Sequence, residues 1–290
     1  MRDLNFYVTP LIKLKKLSFE FNMDVYAKLE FTCPTGSHKD RESLAMIEDA
    51  LNKGIKDVAI ASTGNAAISL SAFSLAYNLN CHVFASKNIS KERLNLIKAF
   101  KAKLHLVKGD YRKAMNECEK FIESSNAYNA NPGKNDKKIE GDSIISIEIS
   151  NQLKLKPETI IVPTNNGTLF AGVWRGFKKI GFKPKMIAVV CPNTKIAESI
   201  AGYNRFDGKA LDAALLESNG EIIEVTDNEI IWATNKLIKE GIFCEPAAAS
   251  TLAALYKIKE NIHKPIVLLI TGTALKYPIN LKTIISKIKE

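Results

Sequence analysis

The stretch Val58-Ala59-Ile60-Ala61-Ser62-Thr63-Gly64-Asn65-Ala66 decides the fold class. Val58 to Ala61 is a short, wholly apolar run, the pattern of a strand buried on both faces. Ser62-Thr63-Gly64-Asn65 interrupts it with turn-forming residues, and Ala66 to Tyr77 then carries an almost wholly small or apolar pattern of helical length. A strand passing through a polar turn into a helix begins a strand–helix–strand unit. Working outward, the same alternation predicts a strand at His82–Ala85, a helix over 90–100, a strand at Leu104–Val107 and a helix over 111–122. The stretch 126–138, rich in Asn, Lys, Gly and Pro, breaks the rhythm as a long loop or domain junction. A helix follows over 141–153. A second series then runs through strand Thr159–Val162, helix 169–180, strand Met186–Val190, strand Glu221–Val225, helices 228–240 and 247–259, and strand Ile266–Ile270. Periodicity weakens over 195–220, where no element is assigned.

The expected architecture is therefore α/β: two lobes, each with a mostly parallel sheet flanked by helices, and a ligand cleft between the lobes beyond the strand C-termini. Residues 1–42 and 139–290 are expected to form the larger domain and 43–138 a smaller α/β domain. At 290 residues, with 46% hydrophobic and 25% charged residues, the chain has the composition of a globular protein. No apolar run approaches the roughly 20 residues of a membrane-spanning helix. The first residues, Met1-Arg2-Asp3-Leu4-Asn5-Phe6, lack the basic-then-hydrophobic order of a signal peptide, so a cytoplasmic location is expected. The net charge of +10 is spread along the chain among 31 acidic residues, without an aromatic-interleaved basic stripe, and nucleic acid is not an expected partner. Five irregularly spaced cysteines form no CxxC pair or zinc spacing; Cys81, Cys118 and Cys191 read as buried thiols.

Four polar, glycine-containing segments lie at the edges of these elements. Pro34-Thr35-Gly36-Ser37-His38-Lys39-Asp40-Arg41 places Ser37 as a helix N-cap, with Asp40 completing a weak capping box. Lys39 then falls in the first turn, where the helix field disfavours a positive charge and leaves more free amine to attack an aldehyde. Taken alone, the segment is better explained by an ordinary surface lysine. Ser62-Thr63-Gly64-Asn65 can hold a carboxylate or a hydroxyl, or be a plain turn. Pro163-Thr164-Asn165-Asn166-Gly167-Thr168, again between strand and helix, can form a concave phosphate site, yet matches neither a Walker loop nor a dinucleotide fingerprint. Leu269-Ile270-Thr271-Gly272-Thr273 ends the last strand with hydroxyl residues, and Thr271 can offer a neutral hydrogen bond to a ring nitrogen.

Together these segments resemble the threonine synthase branch of the fold-type II (tryptophan synthase β-like) pyridoxal-phosphate enzymes. Thr35-Gly36-Ser37-His38-Lys39-Asp40-Arg41 is similar to the family's TGS-F-KDR segment, and Ser62-Thr63-Gly64-Asn65 to its S-T/S-GN loop. Thr9-Pro10-Leu11 resembles its TPL, Glu140-Gly141 opens a segment like its EG-x-x-T/S, and Glu245-Pro246-Ala247 resembles its EP-A helix start. Thr271-Gly272-Thr273-Ala274-Leu275-Lys276 resembles TGHGLK. The ordered set is far more specific than any single motif.

The resemblance implies pyridoxal 5′-phosphate as cofactor, with Lys39 as its Schiff-base lysine and catalytic residue. It further implies cofactor contacts from Asn65, from Asn165, Asn166, Gly167, Thr168 and Leu169, and from Thr271. Ser62, Thr63, Gly64 and Asn65 would bind a small, possibly phosphorylated, amino-acid substrate. A lyase or synthase follows, foremost a threonine synthase converting O-phosphohomoserine and water to threonine and phosphate. Serine/threonine dehydratases, β-replacement enzymes such as cysteine or cysteate synthases, and a non-catalytic binding homologue are the alternatives. A homodimer, no metal and no membrane are expected. The chain departs from the family in its phosphate loop, which keeps one glycine, at His38 in place of phenylalanine, and at Thr273 and Ala274 in place of histidine and glycine.

Overall fold

The computed structural model describes residues 8–276. In chain order the elements are β1 (Leu11–Lys13), α1 (Lys15–Glu20), β2 (Val25–Lys28), α2 (Lys39–Asn52), β3 (Asp57–Ala61), α3 (Asn65–Ala76) and β4 (Asn80–Ser86). There follow α4 (Lys91–Ala99), β5 (Lys103–Val107), α5 (Tyr111–Ser125), β6 (Tyr128–Asn129), α6 (Lys137–Asp142) and α7 (Ile144–Gln152). The remainder comprises β7 (Thr159–Pro163), α8 (Thr168–Lys179), β8 (Lys185–Val190), α9 (Gly208–Glu217), β9 (Glu221–Glu224), α10 (Asp227–Lys239), α11 (Pro246–Ile258) and β10 (Ile266–Leu269). The chain divides into two compact units: the chain through His38 together with the chain from Ser143 onward, and Lys39–Asp142.

The first unit is built on a six-stranded sheet in the order β1-β2-β10-β7-β8-β9, parallel except for the β1–β2 pair. Its central strands β7, β8 and β10 are apolar on both faces, and alternate residues feed two cores. Ile161, Ile187, Val189 and Leu268 pack with residues of α10 and α11. Ile160, Val162, Met186, Ala188 and Leu269 pack with α7, α8 and α9. β8 and β9 extend outward from β7, whereas β10 returns to the other side of β7. That reversal opens a crevice beyond the C-terminal ends of β7 and β10.

Under β1 and β2 lies a buried polar network. Lys28, with no exposed surface, donates to the Thr9 carbonyl at 2.6 Å, to Glu148 at 2.6 Å and to Gln152 at 2.9 Å. The Thr9 hydroxyl donates to Glu30 at 2.7 Å. Burying one unpaired charge costs several kcal/mol, so the reciprocal bonding ties residue 9 to β2 and α7.

The second unit holds a four-stranded parallel sheet, β5-β4-β3-β6. Here β6 returns to the far side of β3, so the reversal falls at the C-terminal end of β3, where Ser62 to Asn65 begin. Helix α3 is apolar around its circumference and buried along its length. Two of its buried hydroxyls are satisfied, Ser71 by the Ala67 carbonyl at 2.7 Å and Ser69 by Ser43 of α2 at 2.8 Å, while that of Ser74 has no hydrogen-bond partner among the described residues.

Most elements lie within a residue or two of the sequence expectation, and several corrections have physical reasons. The 126–138 stretch contains the two-residue strand β6, anchored by the buried Asn131, whose side chain accepts the Ala61 N–H at 2.8 Å. A single helix over 141–153 is instead α6 and α7, broken at Ser143. The unassigned 195–220 region contains α9, which buries only Leu211 and Ala214 and so carries little periodic signal. The strands β1 and β2 and the helix α1 are too short for a period to register. Ser37 is no N-cap, because its backbone is held in a bridge to Gly272 and α2 starts two residues later, at Lys39. Its buried hydroxyl has no hydrogen-bond partner among the described residues. Cys81, Cys118 and Cys191 are buried, and burial pushes the first two thiols up to about 11 and about 12.

On the second unit's sheet, His82 Nδ1 lies 3.1 Å from His105 Nε2, and His82 Nε2 lies 3.1 Å from Asp57. The rings stack with Phe84 and Phe121. Burial lowers both histidines from their ordinary value of 6.5; Asp57 opposes this at His82, while Lys103 adds to it at both and His82 adds to it at His105. The unfolded chain therefore takes up protons more readily, and stability is complete above the unfolded value but falls as pH drops through it toward the folded midpoints. The urea midpoint is predicted to fall between about pH 7.5 and about pH 5.5, with a shallower fall in His105→Gln. An unchanged slope in the variant would refute the assignment.

Candidate active site

In the first unit the site is assembled at the C-terminal edge of the parallel strands. Register pairs Leu268 with Ile161, so Thr271 and Thr164 leave neighbouring strands at the same level. Backbone hydrogen bonds then staple the chain that follows β2 to this edge: the His38 N–H donates to the Thr271 carbonyl and the Thr273 N–H to the Gly36 carbonyl, both at 3.0 Å. Gly36 has φ +82, and a Cβ there would meet Thr273 Cγ2 at 2.8 Å. Gly272 is equally constrained, since a Cβ would lie 2.6 Å from the Glu245 carboxylate. Glu245, buried at the start of α11, accepts the Ser199 hydroxyl at 3.4 Å and donates its N–H to the Gly272 carbonyl at 2.9 Å. Sequence reasoning gave Glu245 no role of its own; its only signal is an acidic residue beside Pro246 at a helix start.

The loop Asn165–Thr168 caps this edge. Gly167, with φ +92, is the N-cap residue of the twelve-residue α8, and no side chain caps the helix. Its first N–H groups and the helix field suit a phosphate. The side chains do not act as their types alone imply. Asn165 is spent on the neighbouring segment, donating to the Ser199 and Ala201 carbonyls and accepting the Asn204 N–H at 2.7 Å. The Thr168 hydroxyl donates to Asp207 at 2.5 Å. Asn166 retains a buried amide oxygen with no hydrogen-bond partner among the described residues. The candidate anion site thus consists of backbone N–H groups, with the Asn166 amide oxygen, an acceptor, beside them and a carboxylate one side chain away. Leu169 contributes through its backbone and is buried in the core beneath.

In the second unit, Lys39 opens α2 and Asn65 opens α3. The Ser43–Ser69 hydrogen bond lies four residues inside each helix, so both starts fall within about 6 Å of that contact along their axes. No side chain of the N-cap residue Gly64 caps α3, and the helix field at this start favours an acceptor. The Ser62 hydroxyl accepts the Gly64 N–H at 3.2 Å and keeps its proton for donation. Lys39, whose side chain is 21% exposed, forms an ion pair with the buried Glu42. The helix field disfavours the ammonium by about 0.3–1 kcal/mol. A charge-assisted bond to a buried carboxylate favours it by about 1.5–3 kcal/mol. The expectation of a freely available amine is therefore corrected, because Glu42 outweighs the helix field.

Comparison with known proteins gives the family. Residues 3–272 match the family model described as pyridoxal-phosphate dependent enzyme. The chain belongs to the pyridoxal-phosphate dependent enzyme family. It is 32% identical to a threonine synthase of Halalkalibacterium halodurans, over 93% of this chain and 83% of the relative. A threonine synthase of Methanocaldococcus jannaschii is also 32% identical, over 93% of this chain and 75% of the relative. The fold matches the processed form of threonine deaminase isoform 2 from Solanum lycopersicum with TM-score 0.83 and 21% identity, covering 97% and 83% of the two chains. Serine racemase from Dictyostelium discoideum matches with TM-score 0.82 and 23% identity, covering 93% and 94%. The chain is accordingly a pyridoxal-phosphate-dependent lyase of fold type II, in the threonine synthase-like group. The residues fit the cofactor: an α8 start that no side chain caps offers backbone N–H donors to its phosphate. Among the described residues no helix is long and apolar enough to cross a membrane.

The tight turn before α8 yields a direct prediction. In Gly167→Ala the new Cβ would meet Leu211 Cβ at 2.9 Å at a φ of +92. A loss of about 1–3 kcal/mol is expected in urea unfolding, and a change below about 0.5 kcal/mol would refute the constraint.

Proposed function

We propose that the chain is a threonine synthase, converting O-phosphohomoserine and water to threonine and phosphate. The observation that carries this reading is the similarity to threonine synthases at 32% identity along 93% of the chain. The ordered motifs around Lys39, Asn65 and Thr271 support it.

Pyridoxal phosphate, when bound, supplies an aldehyde for an amine and a ring that draws electrons from the substrate α-carbon. Lys39 Nζ is the amine that carries it, and in turnover the same nitrogen takes the substrate α-proton and returns it to a later carbanion centre. The N–H groups of Gly167, Thr168 and Leu169 hold the phosphate at the start of α8, and Asn166 can join them only through its amide nitrogen. Asn165 orients that loop from behind rather than touching the anion. Thr271 offers its hydroxyl to the ring nitrogen, and as a neutral partner it leaves that nitrogen largely unprotonated. Asn65 holds the ring hydroxyl. The Ser62 and Thr63 hydroxyls and the Thr63 N–H offer donors to a substrate carboxylate, with Gly64 allowing close approach, at the start of a helix whose field favours a negative charge.

A serine/threonine dehydratase is the second reading, favoured by Thr273 and Ala274 standing where the threonine synthase motif has histidine and glycine. Purified protein with O-phosphohomoserine is expected to release phosphate and form threonine in equal amounts. Ketoacid from serine or threonine, with no phosphate release from O-phosphohomoserine, would replace the first reading by the second. Lys39→Ala is expected to lower turnover at least about a hundredfold and to abolish borohydride fixation of the cofactor to its peptide. Fixation at an unchanged level would remove Lys39 from this role. Asp207→Asn removes a negative charge beside the α8 start, and should tighten cofactor binding about two- to fivefold in equilibrium dialysis. Weaker binding would show that the Asp207 charge helps build the loop rather than opposing the phosphate.

A further inference from the structure

Glu42 is buried on α2 and faces two lysines at once. One carboxylate oxygen pairs with Lys39, three residues earlier on the same helix, and the other lies 2.9 Å from Lys138 of α6. Lys138 is 2% exposed and also donates to the Ala130 carbonyl at 3.3 Å. This second cation reaches Glu42 because α6 lies directly on the backbone of α2. Gly141 has no room for a Cβ, which would meet the Arg41 carbonyl carbon at 2.8 Å and Glu42 Cα at 3.1 Å. A side chain at position 141 would lift α6, and Lys138 with it, away from Glu42.

We propose that Glu42 is a positioning residue that fixes the Lys39 amine and holds it as an ammonium, with Lys138 sharing the Glu42 carboxylate from the other side. The inference rests on Lys39 being the lysine that carries the chemistry. The buried Asp142 of α6 places a second carboxylate within 4.8 Å of Glu42. Loss of the Lys39 proton leaves this buried group with one positive charge fewer, which opposes the deprotonation and keeps the proton on Lys39 Nζ. Lys39 then holds a proton taken from a substrate carbon until a later centre accepts it.

The test uses cofactor-free protein and trace acetylation with acetic anhydride across a pH series, with the Lys39 peptide quantified by mass spectrometry. The exposed Lys120, paired with Glu117, serves as internal reference. Glu42→Gln is expected to lower the pH of half-labelling by at least about one unit, labelling Lys39 about tenfold faster at neutral pH. Glu42→Asp, which keeps the charge on a shorter side chain, should restore most of the protection. Labelling of Glu42→Gln within about twofold of the wild type would overturn the proposal. Should Glu42→Gln fail to fold, Lys138→Met gives the reading, because a cation that competes with Lys39 for the Glu42 charge is then lost. Labelling should slow at least about threefold, and unchanged or faster labelling would overturn the proposal. Whether pyridoxal phosphate can be fixed to wild-type Lys39 by borohydride is read separately, so failure of the cofactor assignment and failure of the Glu42 role give different results.

Discussion

The short backbone staple between residues 36–38 and 271–273 is the constraint on which the first unit's site depends. Two hydrogen bonds of 3.0 Å and the Ser37–Gly272 bridge fasten the chain leaving β2 to the chain leaving β10. These bonds need close backbone approach, and two glycines permit it: Gly36 against Thr273, and Gly272 against the Glu245 carboxylate. A side chain at either position would separate the strands' extensions and release Thr271 from its level beside Thr164. The staple also sets the residue immediately before Lys39. The helix therefore starts at Lys39 instead of after Ser37, and the hydroxyl of Ser37 is left buried without a cap to make.

Electrostatics at the two helix starts follows one rule with different outcomes. At α8 the backbone N–H groups offer a positive field, and Asp207 answers it through Thr168. At α2 the field acts on Lys39 in the unfavourable direction, and Glu42 reverses the balance because a contacting buried carboxylate outweighs a helix terminus. In each case the chain places a carboxylate where the helix field alone would have given a simpler site. An anion at the α8 start would meet a neighbouring carboxylate, and the Lys39 ammonium is paired with a buried one.

Legibility in the sequence tracked how local each signal was. Strand β3, the polar turn and α3 follow one another within twenty residues and share unbroken apolar patterns, so they could be read directly. The same holds for β7 and α8, and for the apolar run ending at Thr271. Strand β6 could not be read, because two residues carry no period and its place rests on Asn131 reaching back to Ala61. Helix α9 buries too few residues to show a stripe. Within the site, Asn165 and Thr168 were legible as polar loop residues, but their partners Ser199, Ala201, Asn204 and Asp207 lie more than thirty positions away. Glu42 stood three residues from Lys39 as an ordinary member of a charged helix turn.

The amino-acid sequence by itself determined the α/β class, the order of most strands and helices, and the set of short polar motifs at strand ends. These depend on local composition and on periods of two and 3.6 residues, which survive without tertiary context. The tertiary structure alone decided which strand ends lie side by side, which polar side chains stay available and which are spent on backbone, and what charge surrounds Lys39. Each of those depends on distant segments meeting: β10 returning beside β7, the 199–207 segment folding over the α8 start, and α6 closing on α2 through Gly141.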